Sequence, residues 1–311
     1  MKYTKETQKS QIIEDIKKYN PELKDSSIKQ YVHRILFFIK NHNDIDLEKP
    51  KEILENINKA YDNLSTRKGI ISPLARITQS KLLLEEIQNL TTIIRNKNEE
   101  NKTTEKEKLA WMDTKEINKI INNYTKEIKK FENQPNPTSY QRKLVKKFLL
   151  FLFFSGKYIP PRRLMDYSLL LWDSDNTDNF NYIENNKIIF NKYKTASTYG
   201  QQVINLPKQL MKYIDLHRKL NYDDSKSKFM FSTSQQPLSA VSINSFLSEI
   251  AGKTINSNIF RKVYITDLFK SRKSLKVIKQ KTSMMGTSAN AAIENYNKID
   301  VDNLIDPDAL D

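Results

Sequence analysis

Residues 180–206 read FNYIENNKIIFNKYKTASTYGQQVINL. Three short runs in it, Phe180–Glu184, Lys187–Phe190 and Gln202–Leu206, are rich in Ile, Val, Phe and Tyr, which predicts strands. Asn185-Asn186 between the first two predicts a tight hairpin turn. The stretch therefore reads as a small three-stranded antiparallel sheet. Outward from it in both directions the apolar spacing lengthens to a helical period. The fold class that follows is mainly α with a small antiparallel β-sheet.

On the N-terminal side, Thr4 is placed to cap a helix running to about Tyr19, which Pro21 ends. Asp25-Ser26-Ser27 opens a second, with Ile28, Tyr31, Val32, Ile35 and Ile39 on one face. A third spans roughly Lys51 to Tyr61. A fourth starts at Ser65-Thr66 and carries Pro73, which implies a kink or an early turn. A fifth begins near Ser80 and fades into NKNEENKTTEKEK, residues 96–108, almost wholly polar. Residues 1–100 thus read as one helical domain, 101–110 as a linker and 111–300 as a second domain. In the second, Asp113-Thr114 caps a helix, Ser139 to Ser155 forms another stopped by Gly156, and Tyr158-Ile159-Pro160-Pro161 is extended. Arg162 to Leu171 resumes helix, and from Pro207 onward the chain is helical again.

Composition removes several function classes. There is no cysteine, so thiolate metal sites, disulfides and cysteine nucleophiles are excluded. The three histidines, His33, His42 and His217, lie far apart in sequence, and neither a metal nor a cofactor is expected. Five glycines supply no phosphate-cradling Gly-rich motif. The longest apolar run, Phe148 to Phe154, is too short to span a membrane, and MKYTKETQKS at the start lacks the apolar stretch of a signal peptide. A soluble intracellular protein is expected.

The formal charge of +15 favours an anionic partner, nucleic acid first. It is unevenly placed: residues 1–100 carry a net of +3, residues 101–299 a net of +17, and residues 300–311 contribute five Asp and no base. An acidic tail, 301–311, with Val301, Leu304, Ile305 and Leu310 as apolar positions, closes the chain.

Four sequence features follow one another along the chain. Arg163-Leu164-Met165-Asp166 opens a helix after the two prolines. Lys194-Thr195 sits at the end of a strand of the small sheet. Arg261-Lys262 lies early in a helix with Asn258 three residues before Arg261. Met285-Gly286-Thr287-Ser288 is followed by Tyr296, nine residues after Thr287. Lys192 and Arg162 compete with Lys194 and Arg163 for their places.

This ordered set resembles the tyrosine recombinases, the phage-integrase family. Its first box, Pro160-Pro161-Arg162-Arg163-Leu164-Met165-Asp166-Tyr167, looks like that of divergent integrases of large DNA viruses and related mobile elements. The resemblance covers the whole chain and implies a helical core-binding domain, SAM-like, over 1–100 and the catalytic domain over 111–300. It implies that the enzyme cleaves and rejoins double-stranded DNA through a 3′-phosphotyrosine, without cofactor or metal. Tyr296 would be the nucleophile, Arg163 and Arg261 the phosphate-binding pair, and Lys194 the acid. Asn258 and Thr287 stand where the family usually has histidine or a similar residue. Arg162 and Lys262 are the expected DNA contacts, and Asp166 a structural partner of its arginine. A homotetramer on paired sites, with the acidic tail docking on a neighbour, is the implied assembly. Asn and Thr donate hydrogen bonds to phosphate but are no general base near neutral pH. A DNA-binding protein of the same fold that lacks catalysis, and a telomere resolvase or type IB topoisomerase using the same chemistry, are the alternatives.

Overall fold

The computed structural model describes residues 2–99, 103–173, 179–225, 227–233 and 235–298. The acidic tail at 301–311 lies outside the described residues. The chain divides into two compact units, Met1–Glu100 and Asn101–Asp311.

The first unit runs β1 (Lys2–Tyr3), α1 (Lys9–Tyr19), α2 (Asp25–Asn41), β2 (Ile45–Asp46), α3 (Pro50–Ala60), α4 (Leu64–Thr78) and α5 (Lys81–Glu99). The expected first helix starts later than Thr4 suggests, because Tyr3 is drawn into an antiparallel pair with Ile45. The Tyr3 hydroxyl then donates to Asp15 Oδ2 at 2.7 Å, inside the core. Ile28, Val32, Ile35 and Ile39 of α2 are all buried, as their spacing requires.

Pro73 does not break α4. Its nitrogen carries no hydrogen, so the Gly69 carbonyl loses its helical donor. Arg34 replaces that donor: its Nη1 reaches Gly69 O at 3.1 Å. The approach needs glycine, since a Cβ at Gly69 would stand 2.6 Å from Arg34 Nη1.

The second unit runs α6 (Glu105–Ala110), α7 (Thr114–Lys129), α8 (Ser139–Phe154), α9 (Leu164–Ser168), β3 (Leu170–Leu171), β4 (Asn181–Glu184), β5 (Lys187–Phe190), α10 (Ala196–Tyr199), β6 (Gln202–Asn205), α11 (Lys208–Ser225), β7 (Ser232–Thr233), β8 (Gln236–Pro237), α12 (Ala240–Ala251), α13 (Ser257–Lys270), α14 (Leu275–Met284) and α15 (Ala289–Tyr296). Its centre is α8, where every residue from Phe148 to Phe154 is buried. A helix apolar on all sides needs neighbours all round, and α7, α11, α12 and α13 supply them.

The sheet has order β3-β4-β5-β6, with β4, β5 and β6 antiparallel and Ile188 opposite Ile204. Asn185 and Asn186 both take positive φ, 49° and 57°, as a two-residue hairpin turn of this type demands. A fourth strand, β3, adds parallel to β4. It replaces the second half of the helix expected from Arg162 to Leu171: only Leu164–Ser168 is helical, because Leu170 and Leu171 pair with Asn181 and Tyr182. The hairpin β7–β8 also interrupts the expected helical run after Pro207. Among the described residues, no helix is long and apolar enough to cross a membrane.

Candidate functional site

The two prolines before α9 hold the chain extended, and Arg163 is the N-cap residue of that helix. Two consecutive arginines in extended backbone point to opposite sides. Arg162 is fully buried: Nε donates to Asp166 Oδ2 at 2.9 Å, and Nη1 to Gln202 Oε1 at 2.5 Å and Met284 O at 2.6 Å. Its guanidinium carbon lies 4.0 Å from the Phe190 ring centre and 4.6 Å from that of Tyr193. Arg162 therefore ties α9, β6 and the end of α14 together in the DNA-free chain. Asp166 partners Arg162 and not Arg163.

Arg163 is only partly buried, and its Nη1 donates to Gly286 O at 2.7 Å. The same carbonyl accepts from Thr195 Oγ1 at 2.9 Å. Gly286, at φ 67°, thus joins the start of α9, the β5–β6 connection and the α14–α15 turn. A Cβ there would come within 3.0 Å of Arg162 Nη2. Lys194 sits next to Thr195 in that connection, four residues past the end of β5 rather than on its last residue.

The N-terminus of α13 is organised by Asn256, whose Oδ1 accepts from the main-chain N–H of Asn258 and Ile259 at 3.0 and 3.3 Å. Arg261, one turn further on, is fully buried. Its Nη1 donates to Pro161 O at 3.0 Å and to Met285 O at 3.3 Å, while Nε and Nη2 have no partner. Burial presses its pKa below the usual arginine value, and the adjacent Tyr296 side chain acts in the opposite direction. Tyr296 ends α15, whose first turn is capped by Ser288, and its ring lies over the Arg261 guanidinium with 4.5 Å between ring centre and carbon.

Arg163, Lys194, Asn258, Lys262, Thr287 and Tyr296 line one open pocket of about 480 Å³. Arg261 lies against Tyr296 at its edge, and Arg162 lines no part of it. Most of the pocket surface is polar, as suits a charged ligand. Lys262 pairs with Glu107 of α6, with both side chains largely shielded. Burial, reinforced by the nearby Lys298 ammonium, pulls the Lys262 pKa down to about 8, and a carboxylate partner works against both effects.

Glu107, Asn256 and Asn295 also line the pocket, and none was singled out by sequence. A local signal for Glu107 was present in Thr104-Glu105-Lys106-Glu107, which has the spacing of a helix-capping box. The segment expected as a linker is in part this helix. Among the described residues, no cluster of three or more His, Cys, Asp or Glu side chains is placed to hold a metal ion.

No protein-family model matches the chain, and no curated protein matches it. Among solved structures, the crystal structure of XerA recombinase is similar over 97% of this chain and 99% of that one, at 13% identity and a TM-score of 0.42.

Proposed function

We propose that the chain is a DNA strand-transferring enzyme of the tyrosine-recombinase type. The observation that carries this reading is the pocket itself: a tyrosine, two lysines and an arginine share its lining, with Arg261 buried beneath the tyrosine ring and two of its donors unpartnered. Such a set suits a phosphodiester, which needs a nucleophile, cations on its non-bridging oxygens and an acid for the departing oxygen.

In this reading the Tyr296 hydroxyl gives up its proton to solvent water, its oxygen attacks phosphorus, and the bond from phosphorus to the 5′-oxygen breaks. Lys194 gives that oxygen its proton, leaving a 5′-hydroxyl and a 3′-phosphotyrosine. Arg163 and Arg261 hold the charge that builds on the non-bridging oxygens, and arginine keeps its own charge while doing so. Asn258 and Thr287 add neutral donors. The phosphotyrosine ester retains the bond energy, so a second 5′-hydroxyl displaces Tyr296 and reseals the strand. The net +17 over residues 101–299 serves duplex binding. Assembly of several copies on paired sites follows from the need to exchange strands between two duplexes.

The test uses nicked duplexes built from inverted repeats flanking the coding sequence, so that the released fragment diffuses away. A covalent protein–DNA adduct that resists denaturant, formed in EDTA and absent from Tyr296→Phe, is the expected result. Duplex binding without an adduct on any such substrate would favour a DNA-binding protein without catalysis. Strict dependence on a divalent metal would overturn the mechanism.

A further inference from the structure

The residue that sets this pocket apart is Glu107, the one carboxylate among its described lining residues. It comes from α6, a helix of six residues with no buried side chain, so little apolar packing holds that helix in place. Polar contacts hold it instead. At its start, Thr104 Oγ1 accepts from the Glu107 N–H at 3.2 Å, and Glu107 Oε2 accepts from the Thr104 N–H at 3.0 Å. The second carboxylate oxygen, Oε1, accepts from Lys262 Nζ. The same carboxylate thus closes the capping box and neutralises a cation of the pocket.

That cation is the neighbour of Arg261 on α13, and Arg163 and Lys194 line the same cavity. A carboxylate and a phosphate oxygen bind the same donors with similar geometry. The ion pair is 17% exposed at Lys262 and 16% at Glu107, so water and salt screen it less than a surface pair.

We propose that Glu107 is a built-in competitor for DNA phosphate: in the DNA-free chain it occupies Lys262, and a phosphate of the duplex must displace it, releasing α6, before the pocket is filled. The proposal rests on the reading of the pocket as a phosphodiester site. It makes α6 a latch that holds the cationic pocket partly neutral until a polyanion competes for it, and so discriminates against weak, isolated anions.

The test measures binding of a fluorescent duplex of mixed sequence to the full-length chain across a range of KCl concentrations. Glu107→Gln keeps the capping box, because glutamine serves at that position, and removes only the competing charge. Glu105→Gln is the control. It removes the same charge from the same helix, at a side chain that is exposed and paired with Lys108 outside the pocket.

Glu107→Gln should bind DNA roughly tenfold more tightly than wild type, with a log K against log salt slope steeper by about 0.9, the value of one added phosphate contact. Glu105→Gln should change affinity by less than about twofold. Equal effects of the two variants would reduce Glu107 to its share of net charge and overturn the latch. So would wild-type affinity in Glu107→Gln together with loss of adduct, which would make Glu107 part of the chemistry. Absence of duplex binding by every form would overturn the DNA reading itself, and the latch with it. Binding and adduct formation by wild type, with no difference in Glu107→Gln, would overturn the latch alone.

Discussion

The guanidinium carbon of Arg261 lies 4.5 Å from the centre of the Tyr296 ring, and the arginine is completely buried. The ring shields one face of a charge whose Nε and Nη2 have no partner. A cation over an aromatic face is stabilised whether or not the ring carries a hydroxyl. Tyr296→Phe should therefore fold, melt and bind duplex DNA like wild type while forming no covalent adduct. If adduct persists, another tyrosine is the nucleophile. The partly buried Tyr264, on α13 with Arg261, is then the first to replace.

Arg261→Lys keeps a positive charge but gives up the fork. It should retain most duplex affinity and lose on the order of 100-fold or more in single-turnover cleavage. Near-normal cleavage would mean that the buried guanidinium is structural.

Arg162 and Arg163 should separate cleanly. Arg162→Ala strips the partner from buried Asp166 and should cost about 3–5 kcal/mol in urea denaturation. Arg163→Ala removes a partly exposed side chain and should leave the unfolding midpoint nearly unchanged while lowering cleavage about 100-fold or more. The reverse pattern would exchange their roles.

Arg34, Gly69 and Pro73 form a second testable set. Arg34→Ala leaves the buried Gly69 carbonyl without a donor and should cost about 1–3 kcal/mol. Pro73→Ala restores an N–H at that point of α4. In that background Arg34→Ala should cost clearly less, a coupling that a double-mutant cycle reads directly. Equal costs in both backgrounds would show that Arg34 stabilises α4 by another route.

His217 should make stability depend on pH. It is fully buried between Trp172 and Phe231, Nε2 donates to Met230 O at 3.0 Å, and Nδ1 accepts from Asn221 at 2.9 Å. Burial pulls its pKa down to about 3 from an ordinary value of 6.5. The unfolded chain then binds a proton that the folded chain refuses. The stability it contributes is whole above pH 6.5 and falls as pH drops from 6.5 towards 3, by about 1.4 kcal/mol per unit. Urea midpoints at pH 7 and pH 5 should differ in wild type, and the difference should shrink in His217→Gln. An unchanged difference would assign the pH effect to the carboxylates.

Much of the secondary structure was legible because its causes are local. The face of α2 follows from residues three and four apart. The hairpin follows from Asn185-Asn186, and the start of α7 from Asp113, whose side chain caps it. The elements that differ from the local pattern do so through partners distant in sequence: Tyr3 pairs with Ile45, and Leu170-Leu171 with Asn181-Tyr182. Pro73 stayed helical because Arg34 repaired the bond it removes. No local pattern carries those pairings.

For the candidate site the same division holds. The sequence by itself determined the kinds of residue available, their order, a strongly basic second unit and the absence of thiol chemistry. Tertiary structure alone decided that Arg162 is sealed behind Asp166, Gln202 and Met284, that Arg163 turns instead to Gly286, and that Glu107 reaches Lys262. Adjacent arginines have the same chemistry and the same propensities, so nothing local separates them. Their environments differ because the backbone sends one side chain into the protein interior, where a charge must be paired, and the other to a partly solvated cleft, where it donates to the Gly286 carbonyl.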